Sequence, residues 1–133
     1  MKTGYVQNSP VFGEKRKNFD EISYLLAGVT ADLIVLPELF ATGYTFVSKD
    51  EVALLAEEGS RGETFDYLQE LSTRTKAVIV GGFAEKENGC FYNSAMMVSA
   101  GRLIGIYRKI YLFNKEKLWF SPGNLPLKVY QAG

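Results

Sequence analysis

Histidine is missing from all 133 residues, and cysteine occurs once, at Cys90. The first absence excludes Ser-His-Asp and Cys-His catalysis built from this chain alone. With a single thiol, neither an internal disulfide nor a Cys/His zinc site can be assembled, so the fold is not a stapled secreted scaffold. Net charge is also lacking, because fifteen Lys and Arg offset fifteen Asp and Glu. That balance gives no electrostatic reason to expect a nucleic acid or an anionic membrane as partner. No apolar run reaches the ~20 residues of a membrane-crossing helix. The opening stretch, MKTGYVQNSP, has no apolar segment of the signal-peptide kind, so the expected location is the cytoplasm.

What is present is ordinary globular composition, 47% hydrophobic and 23% charged, in a chain long enough for one domain with a real core. The charge is unevenly spread: residues 49–70 hold seven acids and two bases, and residues 102–117 hold five bases and one acid. GYVQNS reads as a short first strand. EKRKNFDEISYLLAG places Phe19, Ile22 and Leu26 on one face, joined by Leu25, and predicts an amphipathic helix closed by Gly28. DLIVLP predicts a strand covered on both faces, because its apolar run is unbroken. A short acidic helix over 50–57 and a second amphipathic helix in GETFDYLQELSTRTK follow, the latter with Gly62 or Thr64 near its cap. AVIVGGFAEK reads as a buried strand ending at a glycine pair. The turns at ENG and AG then give a meander of three strands, and KVYQAG begins another strand. The order is β-α-β-(α)-α-β-β-β, an α/β layered arrangement with its helices on one face.

Two charges end apolar strands. Glu38 follows the Leu-Pro of DLIVLPELF, at the strand end where open α/β sheets commonly bind ligands. A carboxylate set against an apolar layer costs free energy unless it is paired or used. It is a candidate general base; the alternative is a strand-end carboxylate that caps backbone or pairs with an arginine. Lys109 closes GIYRK, where a fixed ammonium in a dry cleft would stabilise an oxyanion. As a surface lysine it would simply lay its stem along the strand end. Glu116, between Lys115 and Lys117, is on its own more simply read as a solvated charge.

Together, LPELFATGY, GGFAEKENGCFYNSAMMV, GRLIGIYRK and LFNKEKLWFSPGN resemble, in order and context, the segments of the nitrilase superfamily, the carbon–nitrogen hydrolases. The resemblance runs from YVQNSPVF to FSPGN. It implies a four-layer α-β-β-α sandwich longer than this chain, with Glu38 as general base, Lys109 stabilising the tetrahedral intermediate and Glu116 positioning substrate and lysine. Tyr44 in TGY and Phe113 in YLF are candidate substrate-binding side chains, the alternative for each being a packing role. The family's usual histidine two residues after the lysine is replaced by Tyr111.

The resemblance also implies a catalytic cysteine a few tens of residues past the lysine. Cys90 lies before it, in a hairpin, and is expected to be structural. Residues 1–133 are therefore expected to form the N-terminal portion of a single carbon–nitrogen hydrolase domain. Such a portion would cleave a non-peptide amide or carbamoyl bond only with a nucleophile from elsewhere. The alternative is an inactive remnant or binding module of the same fold. The expected partners are a small-molecule amide or nitrile and either further copies of the chain or a complementing C-terminal portion. No metal or cofactor is implied.

Overall fold

The computed structural model describes residues 1–131. Its nine elements are β1 (Thr3–Tyr5), α1 (Lys15–Leu25), β2 (Leu33–Val35), α2 (Lys49–Leu55), α3 (Glu63–Thr75), β3 (Val78–Glu87), β4 (Cys90–Ser99), β5 (Arg102–Arg108) and α4 (Glu116–Trp119). The five strands form one sheet in the order β1-β2-β3-β4-β5. β1, β2 and β3 run parallel through helical crossovers, while β3, β4 and β5 form an antiparallel meander. This is the α/β order read from the sequence, with the single turn α4 added after β5.

The main core lies between one sheet face and the helices α1 and α3. Phe19, Ile22 and Leu26 from the α1 side and Leu68 and Leu71 from α3 bury themselves against Ile34, Ile79, Met96 and Val98. Leu25 does not join them; it is exposed at the end of α1. The start of α3 is capped from a distance. Its N-cap, Gly62, has no side chain, and the buried Glu57 accepts from the Thr64 N–H and hydroxyl, each at 2.9 Å, while also pairing with Lys15.

The opposite sheet face differs from expectation. DLIVLP was expected to be covered on both sides, yet Val35 is 40% exposed, because α1 and α3 pack on the same side. Val80, Ala95 and Tyr107 continue this open apolar face across the sheet. Residues 126–130 lie over part of it, with the Tyr130 ring above Gly105, where a β-carbon would come within 2.3 Å of it. Residues 128–131 form no strand, and the last two residues of KVYQAG lie outside the described residues.

The glycine pair was expected to end β3, but the strand continues through Gly81 and Gly82 to Glu87. The glycines serve close approach instead. A β-carbon on Gly82 would sit 2.7 Å from the Leu39 nitrogen and 2.8 Å from the Glu38 α-carbon. Contacts that short do not occur, so only glycine lets the backbone after β2 lie on β3 at this point.

Candidate active site

The site begins where β2 ends. The Leu36 N–H donates to Val80 O at 2.8 Å, and Pro37, which has no N–H to offer, only accepts, from the Gly82 N–H at 3.3 Å. The chain turns tightly at Leu39, which is fully buried at a φ of +49°. A left-handed leucine costs about 1–3 kcal/mol and persists only where its surroundings over-determine it. Leu39 is held by the Thr42 and Gly43 N–H groups on its carbonyl and by packing among Phe46, Val52, Ala84 and Phe120. Glu38 is thereby projected at the C-terminal edge of the sheet.

Lys109 reaches the same place from the last antiparallel strand. Its N–H donates to Asn93 O at 2.8 Å, and its own carbonyl accepts from Gly123 at 2.9 Å, so its backbone is fixed from both sides. Just before it, Arg108 is buried against Glu85 in a two-point ion pair at 2.6 and 2.9 Å, and its guanidinium lies 4.0 Å above the Tyr92 ring. Glu116 comes from α4, a single turn. Its carboxylate accepts the Phe113 N–H at 2.7 Å, in the manner of a capping box, which aims the side chain back toward the sheet.

These three side chains converge. The Lys109 ammonium donates to Glu38 Oε1 at 2.8 Å and to Glu116 Oε2 at 2.9 Å. Asn93, on β4, donates its amide to Glu38 Oε1 at 2.5 Å and to Glu116 Oε1 at 2.6 Å. Glu116 was read in isolation as a solvated charge; it is only 3% exposed. Burial by itself would push its carboxyl pKa up. The hydrogen bonds from Lys109, the Phe113 N–H, Asn93 and Tyr44 outweigh burial and hold it below the ordinary carboxylate range. Burial pushes the Lys109 ammonium the other way, and its bonds to Glu38 and Glu116 win, raising it above the usual lysine value. Lys109 is therefore an ammonium at neutral pH, an electrophilic group and not a base.

Glu38, Asn93 and Lys109 form the polar end of an open hollow of about 420 Å³ on the uncovered sheet face, walled by Val35, Val80 and Tyr107. Glu116 and Tyr44 border a second hollow of about 360 Å³ with Phe46, Phe113 and Trp119. The Tyr44 hydroxyl is raised above its ordinary value by burial and by its neighbour Glu116. Phe113 contributes mainly through its backbone, since its ring is largely exposed. A wider hollow of about 710 Å³ lies along the β3–β4 hairpin, lined by residues such as Arg61, Lys86 and Phe91. None of Glu38, Asn93, Lys109 and Glu116 borders it.

Cys90 begins β4 at the hairpin, and strand alternation puts its side chain on the opposite face from Asn93. Among the described residues, no group of three or more His, Cys, Asp or Glu side chains is placed to hold a metal ion. Tyr111, in the position of the expected histidine, is exposed.

The sequence of residues 2–133 matches the profile of the Carbon-nitrogen hydrolase family. The chain belongs to that family. Among its relatives is a nitrilase of Pyrococcus abyssi, 41% identical over 136 residues, covering 100% of this chain and 52% of the relative. An (R)-stereoselective amidase of a Pseudomonas species is 37% identical over 126 residues, covering 93% of this chain and 45% of its own. Among solved structures, an N-terminal amidase superposes with a TM-score of 0.84 at 25% identity, covering 90% of this chain and 30% of that one. The chain thus spans about half the length of the curated relatives it matches.

One participant in this cluster was not singled out from sequence. Asn93 stands beside Ser94 inside the otherwise apolar strand CFYNSAMMV, and both are buried. Two adjacent polar residues in a buried strand require partners on both faces, and that requirement was the available signal. Ser94 satisfies it on Glu85, at 2.5 Å, and Asn93 on the two site carboxylates.

Proposed function

We propose that the chain supplies the base, the ammonium and the positioning carboxylate of an amidase-type carbon–nitrogen hydrolase acting on small non-peptide amides or carbamoyl compounds. The observation that carries this reading is the Lys109 ammonium held between Glu38 and Glu116. In it, a cysteine thiol from outside residues 1–133 gives its proton to Glu38, and the thiolate attacks the carbonyl carbon. The oxyanion that forms is held by Lys109. When the C–N bond breaks, the departing nitrogen takes the proton back from Glu38 and leaves a thioester. Glu38 then accepts a proton from water, whose hydroxide releases the acid and restores the thiol. Lys109 donates to the oxyanion throughout and never has to lose its own proton. Glu116 is the residue that keeps Lys109 in place, and Tyr44 and Phe113 border the space for the substrate. The reading implies a soluble cytoplasmic enzyme with no cofactor.

The second reading is a non-catalytic binding module that retains the pocket without turnover. It draws on the position of Cys90, the chain's one thiol, on the face away from Glu38.

Ammonia release distinguishes the two. The assay uses a small carboxamide, an N-carbamoyl amine and an N-terminal glutaminyl dipeptide. It compares the chain alone with the chain joined to the half of the Pyrococcus abyssi relative that it does not span. The hydrolase reading expects no release from the chain alone and turnover of the first two substrates by the joined protein. Glu38→Gln and Lys109→Met are each expected to lower that turnover by ~10²-fold or more. Turnover by the chain alone that survives Cys90→Ala but is lost in Glu38→Gln would refute the assignment of the nucleophile. A folded joined protein with no turnover would favour the binding module.

A further inference from the structure

Asn93 touches both carboxylates of the site through one nitrogen, at 2.5 and 2.6 Å. Carboxylate oxygens can only accept, so the chemistry of the partners fixes which end of the amide faces them. Both N–H bonds of that nitrogen are committed, one to each acid. The residue cannot turn away, because it is 3% exposed in the middle of the sheet, opposite Ala84 on β3. On its other side, its backbone carbonyl accepts the Lys109 N–H. All three charged members of the site therefore bear on this one neutral residue.

Two carboxylates sharing one ammonium leave a surplus negative charge. Without a second donor between them, they would repel and the more exposed one would swing into solvent. Glu38 is that one, with its side chain 45% exposed against 3% for Glu116. We propose that Asn93 is a positioning residue that clamps Glu38 to Glu116, so that the proton acceptor is held beside Lys109 before substrate arrives. This rests on the reading of Glu38 as the proton acceptor and adds to it a neutral double donor. Aspartate could not replace it: the shape is nearly the same, but an ionised side chain donates nothing and adds a third negative charge.

The test is a carbon-13 titration of the Glu116 carboxyl in the 133-residue chain, comparing the native protein with Asn93→Ala and Asn93→Asp. The groups facing Glu116 are Lys109, Tyr44, Asn93 and the Phe113 N–H, with Glu38 beyond the shared Lys109 and Asn93 donors, and only Asn93 is changed. Loss of the donor is expected to raise the Glu116 midpoint by roughly one pH unit in the alanine variant. The added charge should raise it further in the aspartate variant. That order, native below alanine below aspartate, reports the donor lost from Glu116. Release of Glu38 is read beside it as loss of the Glu38–Lys109 contact in a crystal structure of the alanine variant. A purely packing role would produce neither, while a retained contact would overturn the clamp. If only one variant folds, a rise in that variant still supports the clamp. An unmoved midpoint in every folded variant, or a smaller rise with aspartate than with alanine, would overturn it. No substrate is turned over in this titration, so the hydrolase reading and the clamp can fail separately.

Discussion

Lys109 has two opposed influences acting on its ammonium, and so does Glu116 on its carboxylate. Burial disfavours both charges, and their mutual hydrogen bond, reinforced by Glu38 and Asn93, favours both. The direction of the outcome has a consequence for stability. The carboxyl of Glu116 is held below its ordinary value in the folded state, so the unfolded chain binds the proton more readily. Its contribution is then fully present above the unfolded value and is lost as pH falls through the lower, folded one. The urea midpoint of the native chain is expected to drop on acidification below roughly pH 4.3. Glu116→Gln, which cannot ionise, should show a shallower acid dependence over that window. Equal acid slopes for the two proteins would mean that Glu116 is not held charged by its neighbours.

The turn from β2 onto β3 connects the fold to its chemistry. It combines a proline with no N–H to offer, a buried leucine in the left-handed region and a glycine beneath them that leaves room for the backbone. Gly82→Ala is expected to destabilise the chain by ~1–3 kcal/mol, the usual cost of forcing a methyl into close-packed surroundings. It should also displace Glu38, seen as loss of the Glu38–Lys109 contact in a crystal structure of the variant. An unchanged urea midpoint would show that the turn yields without cost. The first three helices, the strands and the meander were legible because each carries its own period and its own turn residues, from Phe19/Ile22/Leu26 on the α1 side to the ENG turn of the β3–β4 hairpin; the single turn α4 is too short to carry a period. The role of the glycine pair was not legible. GG inside an apolar run looks like a strand end, and only the neighbouring backbone reveals it as a point of close approach. The burial of Glu116 was hidden for a similar reason, since two flanking lysines read as solvent while its side-chain donors Asn93 and Lys109 come from β4 and from the end of β5.

Taken as a whole, the molecule covers one sheet face with α1 and α3 and leaves much of the other apolar and open, with the site at its edge. Val35, at 40% exposed, and Tyr107, at 41%, mark that face. The expectation of two-sided cover for DLIVLP followed from its unbroken apolar run, and a sequence pattern does not say which molecule supplies the cover. Exposed contiguous apolar surface favours association, so the chain is expected to form larger species in light scattering as its concentration rises. Tyr107→Glu should reduce this; a monodisperse monomer at high concentration would count against it. The central claim, however, is chemical: Glu38 takes the proton that turns a cysteine into the attacking thiolate beside Lys109. The direct measurement is intact-mass spectrometry of the joined, cysteine-bearing protein quenched during turnover of a slow amide. The account predicts an acyl adduct on that cysteine in the native protein and none in Glu38→Gln. An adduct of equal yield and rate in both would contradict it.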